Sequence, residues 1–337
     1  DINAIEIEAN YTGPKLEDGK ITLKFMNDLM KFFGANKLKL PTNGNITVCG
    51  DIHGNLEDLL HIFDINGLPS AENYYLFNGN FVNRQPHSVE CALIYFGYKL
   101  LYPDAFFINR GNHEDIEENL KQYGLAEEIQ TKYPKNEILL HGFWEVFQWL
   151  PLENFIGKFL VVHGGLPSKG NVTLGDIKQI KRAFPRKPPA GSSLMFDILW
   201  SDPGPLDGVH KNKLRYASIQ FGPNVTESFC KRNKIDFIIR SHVALPDGYH
   251  VEHNGRIVTV FSTTNHHSEN PGAIVVLKSS LLKPKFTTFA RGTYLKQCNT
   301  TGRVFTLTRW SDKKILESAG IGRAALILRE EVNEAEN

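Results

Sequence analysis

Asp51 and His53, two residues of the kind that bind divalent ions, stand two positions apart between Gly50 and Gly54. A carboxylate and an imidazole together suit a cation of intermediate softness. The run before them, Ile46-Thr47-Val48-Cys49, is short and apolar and reads as a buried strand. At a strand end, residues i and i+2 converge on one point when the backbone turns, and the glycines permit that turn. Taken alone, the stretch is equally a Gly-rich turn with an Asp cap. Recurrence favours the metal-type chemistry. The apolar run Tyr74 to Phe77 leads into Asn80, Ala105 to Ile108 into Asn112, Phe159 to Val162 into His163, and Asp236 to Ile239 into His242. Binding sites in α/β sheets gather beyond the carboxyl ends of the strands. Asp51, His53, Asn80, Asn112, His163 and His242 are therefore expected in one cleft. A lone histidine at such a place is more often a satisfied core or cap residue, but several in the same strand-end position are hard to explain that way.

The elements that must position these residues alternate. Leu56, Leu59, Leu60 and Phe63 form a helical stripe, and Ser88 to Leu100, Ile116 to Lys132 and Glu137 to Leu150 follow helical patterns. Phe229 to Lys234 ends another helix. Ile257 to Phe261 and Ala273 to Leu277 are further strands. Ahead of them, Tyr11-Thr12-Gly13-Pro14 reads as a turn or extended arm. Leu23, Met26, Leu29, Met30 and Phe33 predict a helix over 21–33, with Gly34 as its C-cap, and 35–45 is a linker. Residues 185–215 are rich in Pro, Gly and basic residues and read as surface loops. A helix is expected over 312–318, before a charged tail. No repeat of 20 to 50 residues is visible.

Hydrophobic residues make up 41% of the 337-residue chain and charged residues 22%, which fits a globular protein. A net charge of +1 gives no electrostatic case for nucleic acid or an anionic membrane. No apolar run approaches the roughly 18 residues of a membrane span. Cysteines 49, 91, 230 and 298 show no paired spacing, as expected of a reduced intracellular chain, cytoplasmic or nuclear. The chain opens Asp1-Ile2-Asn3, without an initiator Met or signal-like core, as a fragment or processed form would.

Gly50-Asp51-Ile52-His53-Gly54, Arg110-Gly111-Asn112-His113-Glu114, His163-Gly164-Gly165 and Ser241-His242 together resemble the metal-dependent phosphoprotein phosphatase family, as do Trp200-Ser201-Asp202-Pro203 and Gln220-Phe221-Gly222-Pro223. The resemblance runs in order from about residue 10 to about 290. It is nearest to the branches that carry tetratricopeptide repeats or EF-hands. Tyr11 to Leu16 is similar to the first and Asn109 to Asp115 to the second, although neither a repeat domain nor an EF-hand loop is visible. The resemblance implies an α/β fold, a metallophosphoesterase sandwich of two mixed β-sheets flanked by helices. It implies an N-terminal arm and helix over 1–45, a phosphatase-like domain over about 10–290 and a C-terminal extension over 291–337. In that family two divalent ions (manganese, iron or zinc type) activate a water for in-line attack on phosphorus. By motif match the first ion takes Asp51, His53 and Asn80, and the second takes Asn80, Asn112, His163 and His242. Arg84, Arg215 and Asn112 match the phosphate-binding groups, and His113 matches the general acid.

Two departures from the family pattern fall on the chemistry. Asn80 stands where a carboxylate bridges the two ions, and an amide brings no charge and one ligand oxygen. Asn83 stands where a carboxylate orients and charges His113. Further changes are Gln85-Pro86 in place of a glycine-containing turn, and Ser262-Thr263-Thr264-Asn265-His266, with His266 where a tyrosine lines the substrate pocket. Arg84 and Arg215 have a structural alternative, pairing with Asp202 or a buried carbonyl. The pattern reads as natural drift from catalysis rather than as a ligand-trapping pair of substitutions. The expected protein is a catalytically impaired serine/threonine phosphatase-like chain, with reduced metal occupancy, that binds a phosphoprotein or a regulatory partner protein. The alternative is a working phosphoserine/phosphothreonine phosphatase.

Overall fold

The computed structural model describes residues 16–17, 20–21, 33, 38, 44–134, 137–182, 193–266, 269–281 and 283–291. Two short strands, β1 (Leu16–Glu17) and β2 (Lys20–Ile21), pair antiparallel. Ile21 is therefore extended rather than the start of a helix. The rest of the expected 21–33 helix, apart from a helical Phe33, lies outside the described residues, as do the arm at 11–14 and the 312–318 helix.

The strands that carry the fold are β3 (Asn45–Cys49), β4 (Asn73–Phe77), β5 (Phe106–Ile108), β6 (Glu153–Ile156) and β7 (Phe159–Val162). They are followed by β8 (Asp202–Pro203), β9 (Val209–Lys211), β10 (Ile219–Phe221), β11 (Phe237–Arg240), β12 (Tyr249–Glu252), β13 (Ile257–Val260), β14 (Gly272–Lys278) and β15 (Pro284–Phe289). One five-stranded sheet has the order β15-β14-β3-β4-β5 and another the order β12-β13-β11-β7-β6, while β8-β10-β9 is a small third sheet. Both large sheets are mixed. The β3-β4-β5 and β7-β11-β13 pairings are parallel, and β14 and β15 in one sheet and β6 and β12 in the other run antiparallel to their neighbours.

Period-two alternation makes these sheets a sandwich. Ile46, Val48, Leu76, Phe107 and Val275 of the first sheet pack with Val161, Ile239 and Val258 of the second in one buried cluster. The intervening residues Cys49, Tyr75, Phe77, Phe106 and Ile108 face the other way. They pack with Leu59, Phe63, Tyr95, Phe96, Phe143 and Phe147 from helices Leu56–Asn66, Ser88–Leu101 and Glu137–Trp149. On the far side of the second sheet, Leu160, Val162 and Ile238 meet Ile177, Ile198 and Phe229 of the helices Leu174–Lys178, Leu194–Trp200 and Pro223–Asn233. Each such side chain contributes about 1.5–3 kcal/mol on burial.

Register then decides where the chemistry emerges. Cys49 lies opposite Phe77 and Phe77 opposite Ile108, so the loops starting at residues 50, 78 and 109 leave the sheet at one edge. Two further expectations need correction. The 116–132 stretch is broken into helices Ile116–Asn119 and Leu125–Lys132, with Tyr123 in a left-handed conformation (φ 59°) at the break. Residues 194–200, expected in a surface loop, form a helix whose Ser193 cap accepts a hydrogen bond from Phe196 N–H (3.1 Å).

Candidate active site

The loops after β3, β4 and β5 are strapped to one another by backbone. Asn80 O accepts N–H bonds from Ile52 (3.0 Å) and His53 (2.8 Å). Glu114, buried beneath them, accepts from the backbone N–H groups of Asn80 (2.8 Å), Phe81 (3.0 Å) and Gly111 (2.7 Å). Burial pushes the Glu114 carboxyl up to about 7, against the pull of those three donors. The packing is so close that a Cβ on Gly111 would collide with the Asn80 amide oxygen. His53, Asn80, Asn83, Arg84 and His242 all have positive φ, between 49° and 79°. Non-glycine residues held in that region cluster at ligand sites.

Asn80 lies at the centre, and its amide orientation is fixed by its neighbours. Its Oδ1 accepts the His113 backbone N–H (2.9 Å), a group that only donates. Its Nδ2 therefore donates to Asp51 Oδ2 (2.9 Å) and to Asn112 Oδ1 (3.0 Å). The NH2 of Asn80 thus bridges the Asp51 and Asn112 oxygens. Asp51 also accepts from His242 N–H (3.0 Å) and lies 3.3 Å from His53 Nε2. Burial opposes ionisation of Asp51, but His53, His163 and the His242 N–H outweigh it and hold the carboxyl below the usual range.

The other half of the cleft is rich in lone pairs. His163 Nδ1 donates to Asn78 O (2.7 Å), which leaves Nε2 as an acceptor. That Nε2 faces Asn112 Oδ1 at 2.9 Å and His242 Nδ1 at 3.2 Å. Asn112 Oδ1, His163 Nε2 and His242 Nδ1 thus converge, and three protein donors are what a one-ion site supplies. This set fits one ion. A second ion at Asp51 and His53 does not fit, because the Asn80 oxygen is committed to the His113 N–H and its NH2 occupies the bridge. Among the described residues no three His, Cys, Asp or Glu side chains are grouped to hold a metal, and the convergent set counts an amide among its donors.

Asn83 carries the same reversal of polarity. Its Oδ1 accepts from Leu125 N–H (2.8 Å) and Asn119 Nδ2 (3.0 Å), so its Nδ2 donates to His113 Nδ1 (2.9 Å). The break between residues 119 and 125 brings those two donors to Asn83. His113 is left with its proton on Nε2, and an imidazolium would point an Nδ1–H at an NH2. Burial, with His53 and Arg84 nearby, pushes the His113 pKa well down.

Arg215 is in the cleft but engaged. Its Nε donates to Asp202 Oδ2 (2.6 Å) and its Nη2 to His242 O (2.6 Å). Asp202 is shared with the fully buried Arg240 (2.7 Å). The expected pairing with Asp202 is present, and the same guanidinium reaches a carbonyl of the cleft at His242. Arg84 is exposed beside His113 through Asn83. The His266 ring stacks on His53 (5.1 Å, 18°) and meets Phe261 edge-on. All eleven residues expected from the sequence therefore lie at this end of the sheets. The departures Thr263 and Thr264 have buried partners, Asp51 O (2.7 Å) and the Asp58 carboxylate (3.0 Å).

Beneath the cleft lies a ladder that sequence reasoning did not find. Asn154 donates to Asn109 (2.7 Å), Asn109 to Asn78 (2.8 Å), and Asn78 to Ser241 Oγ (2.8 Å) and Val162 O (2.7 Å). It joins the two sheets below the donor atoms and fixes the His163 tautomer through Asn78. The available signal was a polar residue directly after each apolar run, at Asn78 and Asn109.

Three site histidines are buried and neutral, His163 with its pKa pushed down to about 4 by burial and His113 and His242 well down for the same first reason. Their folded pKa values lie below the unfolded value of about 6.5, so the unfolded chain takes up protons first as pH falls. Stability should be full above about pH 6.5 and fall below it, by up to about 1.4 kcal/mol per pH unit for each histidine. Urea denaturation between pH 8 and 4 checks this, and a midpoint constant from pH 6.5 to 4.5 would contradict it.

Residues 44–246 match the family model described as calcineurin-like phosphoesterase, and residues 1–48 match that described as PPP5 TPR repeat region. The second match corrects the expectation that nothing of a repeat region is present, since 48 residues are too few to display a period. Serine/threonine-protein phosphatase 5 of Homo sapiens is 46% identical over 319 residues, 86% of this chain and 62% of that protein. Serine/threonine-protein phosphatase T of Trypanosoma brucei brucei is 38% identical over 312 residues, 84% of this chain and 65% of that protein. This chain thus spans less than two thirds of the length of these curated relatives. A solved protein serine/threonine phosphatase from Saccharomyces cerevisiae, described as similar to human phosphatase PP5, superposes with a TM-score of 0.72 at 33% identity, covering 79% of this chain and 88% of that one. The mixed sandwich, the strand-end cleft and a family model that spans more than half of the sequence agree, and the chain belongs to the calcineurin-like phosphoesterase family.

Proposed function

We infer that this chain is a serine/threonine phosphatase-like protein with impaired catalysis, whose cleft binds phosphoserine or phosphothreonine segments. The observation that carries this reading is the Asn80 NH2, which bridges Asp51 and Asn112. Asn112, His163 and His242 would hold one divalent ion of manganese, iron or zinc type. Such an ion, when bound, polarises a phosphoryl oxygen as a Lewis acid. The remaining work falls to the chain itself. Arg84 and Arg215 would supply charge-assisted N–H bonds to phosphate oxygens, and His113 would offer an Nε2–H. With Asn83 donating to its Nδ1, His113 stays a neutral imidazole, a poor acid whose Nε2–H could leave only by forming an imidazolate, and no carboxylate holds the imidazolium that a general acid needs. Binding survives these changes better than turnover does. The match of residues 1–48 to the PPP5 TPR repeat region supports a regulatory protein partner. Among the described residues no helix is long and apolar enough to cross a membrane, and a cytoplasmic or nuclear location belongs to the same proposal.

A second reading, a slow phosphatase working with one ion, is favoured by the intact three-donor set and by the names of the relatives. Calorimetric titration with one peptide in phosphorylated and unphosphorylated form, alongside a hydrolysis assay, separates the two. The impaired-binder reading expects tighter binding of the phosphorylated form with negligible turnover. Equal affinity would remove the phosphate reading, and turnover typical of kcat values, about 1–1,000 per second, would favour the enzyme.

A further inference from the structure

Gln85 and Pro86 depart from the family's turn, and the proposed function leaves them without a role. Their backbone is fastened to the site. Gln85 N–H donates to His53 O (3.0 Å) and His87 N–H to Gly54 O (3.2 Å). Pro86 O accepts from Lys132 Nζ (2.6 Å), and the same ammonium bonds Glu90 (2.7 Å) and Glu128 (3.0 Å). Across from the turn stands Tyr123, which is 61% exposed with φ 59°. Its backbone is pinned on both sides, its O accepting from Arg84 N–H (2.8 Å) and its N–H donating to Glu127 Oε2 (2.7 Å). A bulky residue in the left-handed region is an outlier, and a largely exposed ring recovers little of that cost by burial. Backbone outliers of this type gather at ligand clamps.

Between the turn and Tyr123 lies a cavity of about 300 Å³, walled by Arg84, Gln85, Pro86, Tyr123, Thr131 and Lys132. Glu127 and Glu128 also line it; the Lys132 ammonium is met by Glu90, Glu128 and the Pro86 carbonyl, and Glu127 accepts the Tyr123 N–H. The surfaces left to a ligand are the Pro86 and Tyr123 rings, the Thr131 methyl and the aliphatic stems of Arg84 and Lys132, which are apolar. Arg84 belongs to both places. It walls the cavity, and it directly follows Asn83, whose amide is bonded to His113.

We propose that this cavity is a subsite for one apolar side chain of the phosphorylated segment, lying within three residues of the phosphorylated residue held at Arg84. The proposal rests on the phosphate reading above and adds a sequence preference to it. A segment is the occupant because its phosphate complements Arg84 while the rings and aliphatic stems beside it suit an apolar side chain. The volume is at the low end for ligand pockets, the size for a side chain rather than a cofactor. Walls fixed before binding lower the ordering cost of occupancy.

The test is calorimetric titration of the intact chain with phosphoserine peptides. One has glycine at every flanking position, and the others place a single leucine at each position from three before to three after. One leucine position is expected to raise affinity about tenfold, the scale of burying one aliphatic side chain. Thr131→Trp fills the cavity from an exposed helix position and should erase that gain while leaving the all-glycine peptide unaffected. Pro86→Gly removes an opposite wall and should reduce the gain if Thr131→Trp does not fold. The subsite is overturned, with the phosphate reading intact, if no leucine position gains or if the gain survives both variants. If the all-glycine phosphopeptide fails to bind, both readings fall.

Discussion

Asn80→Asp combined with Asn83→Asp is expected to raise phosphopeptide hydrolysis by roughly a thousandfold or more and to convert the cleft to a two-ion site. A carboxylate at position 80 would put an oxygen where Nδ2 now lies, 2.9 Å from Asp51 Oδ2 and 3.0 Å from Asn112 Oδ1. Like charges so close in a buried site repel unless a cation lies between them. The substitution should therefore lower the thermal transition without metal and raise it with metal, by about 2.7 kcal/mol at a hundred times Kd. A carboxylate at position 83 would accept from His113 Nδ1–H and stabilise an imidazolium. General acid catalysis contributes about a hundred- to ten-thousandfold. Asn83→Asp alone should do little, because an acid without an activated water has nothing to protonate. Hydrolysis assays on the two single variants and the double variant, with metal content measured on each, check this. A double variant that binds two ions and stays inactive would move the cause to His266 or to the Gln85-Pro86 turn.

The second large effect concerns the arginines, which the structure separates. Arg84→Ala removes an exposed side chain, and phosphopeptide affinity should fall by about 10- to 150-fold, the equivalent of a charge-assisted hydrogen bond. The thermal transition should not move. Arg215→Ala should cost at least as much affinity and also destabilise the fold, because Arg215 bonds both Asp202 and His242 O. Binding should weaken with salt where the cleft is open to solvent. Titration and melting of both variants read this out. Unchanged affinity for Arg84→Ala would place the phosphate elsewhere.

The inner strands were legible because they are short apolar runs with ligand-type residues just past their ends. Residues 46–49, 74–77 and 159–162 are of this kind, and all lie in strands. Three strands at the edges of the two large sheets, β6, β12 and β15, carry no such signal. Glu153-Asn154-Phe155-Ile156 and Tyr249-His250-Val251-Glu252 alternate weakly, and β15 opens with a proline, which an edge strand tolerates. Helix 194–200 follows a stretch rich in Pro, Gly and basic residues, and that composition masked its Ser193 cap. The break at residues 119–125 was hidden inside a helical pattern because tertiary bonds to Asn83 decide it. The site itself could be read as a set of strand ends, and the loss of two carboxylates could be read from residue type. The direction of each amide could not, since it depends on the His113, Leu125 and Asn119 donors that only the folded chain brings near. Nor could the Asn154-Asn109-Asn78 ladder, because an asparagine in a turn has no periodic signature.

Metal content tests the central claim, that the Asn80 amide has replaced the bridging carboxylate, most directly. The intact chain would be loaded with manganese, iron or zinc, dialysed exhaustively and measured by elemental analysis, beside His163→Ala. The expected result is no more than one ion per chain, lost in the His163→Ala variant. Two ions retained stoichiometrically by the unmodified chain would contradict the claim.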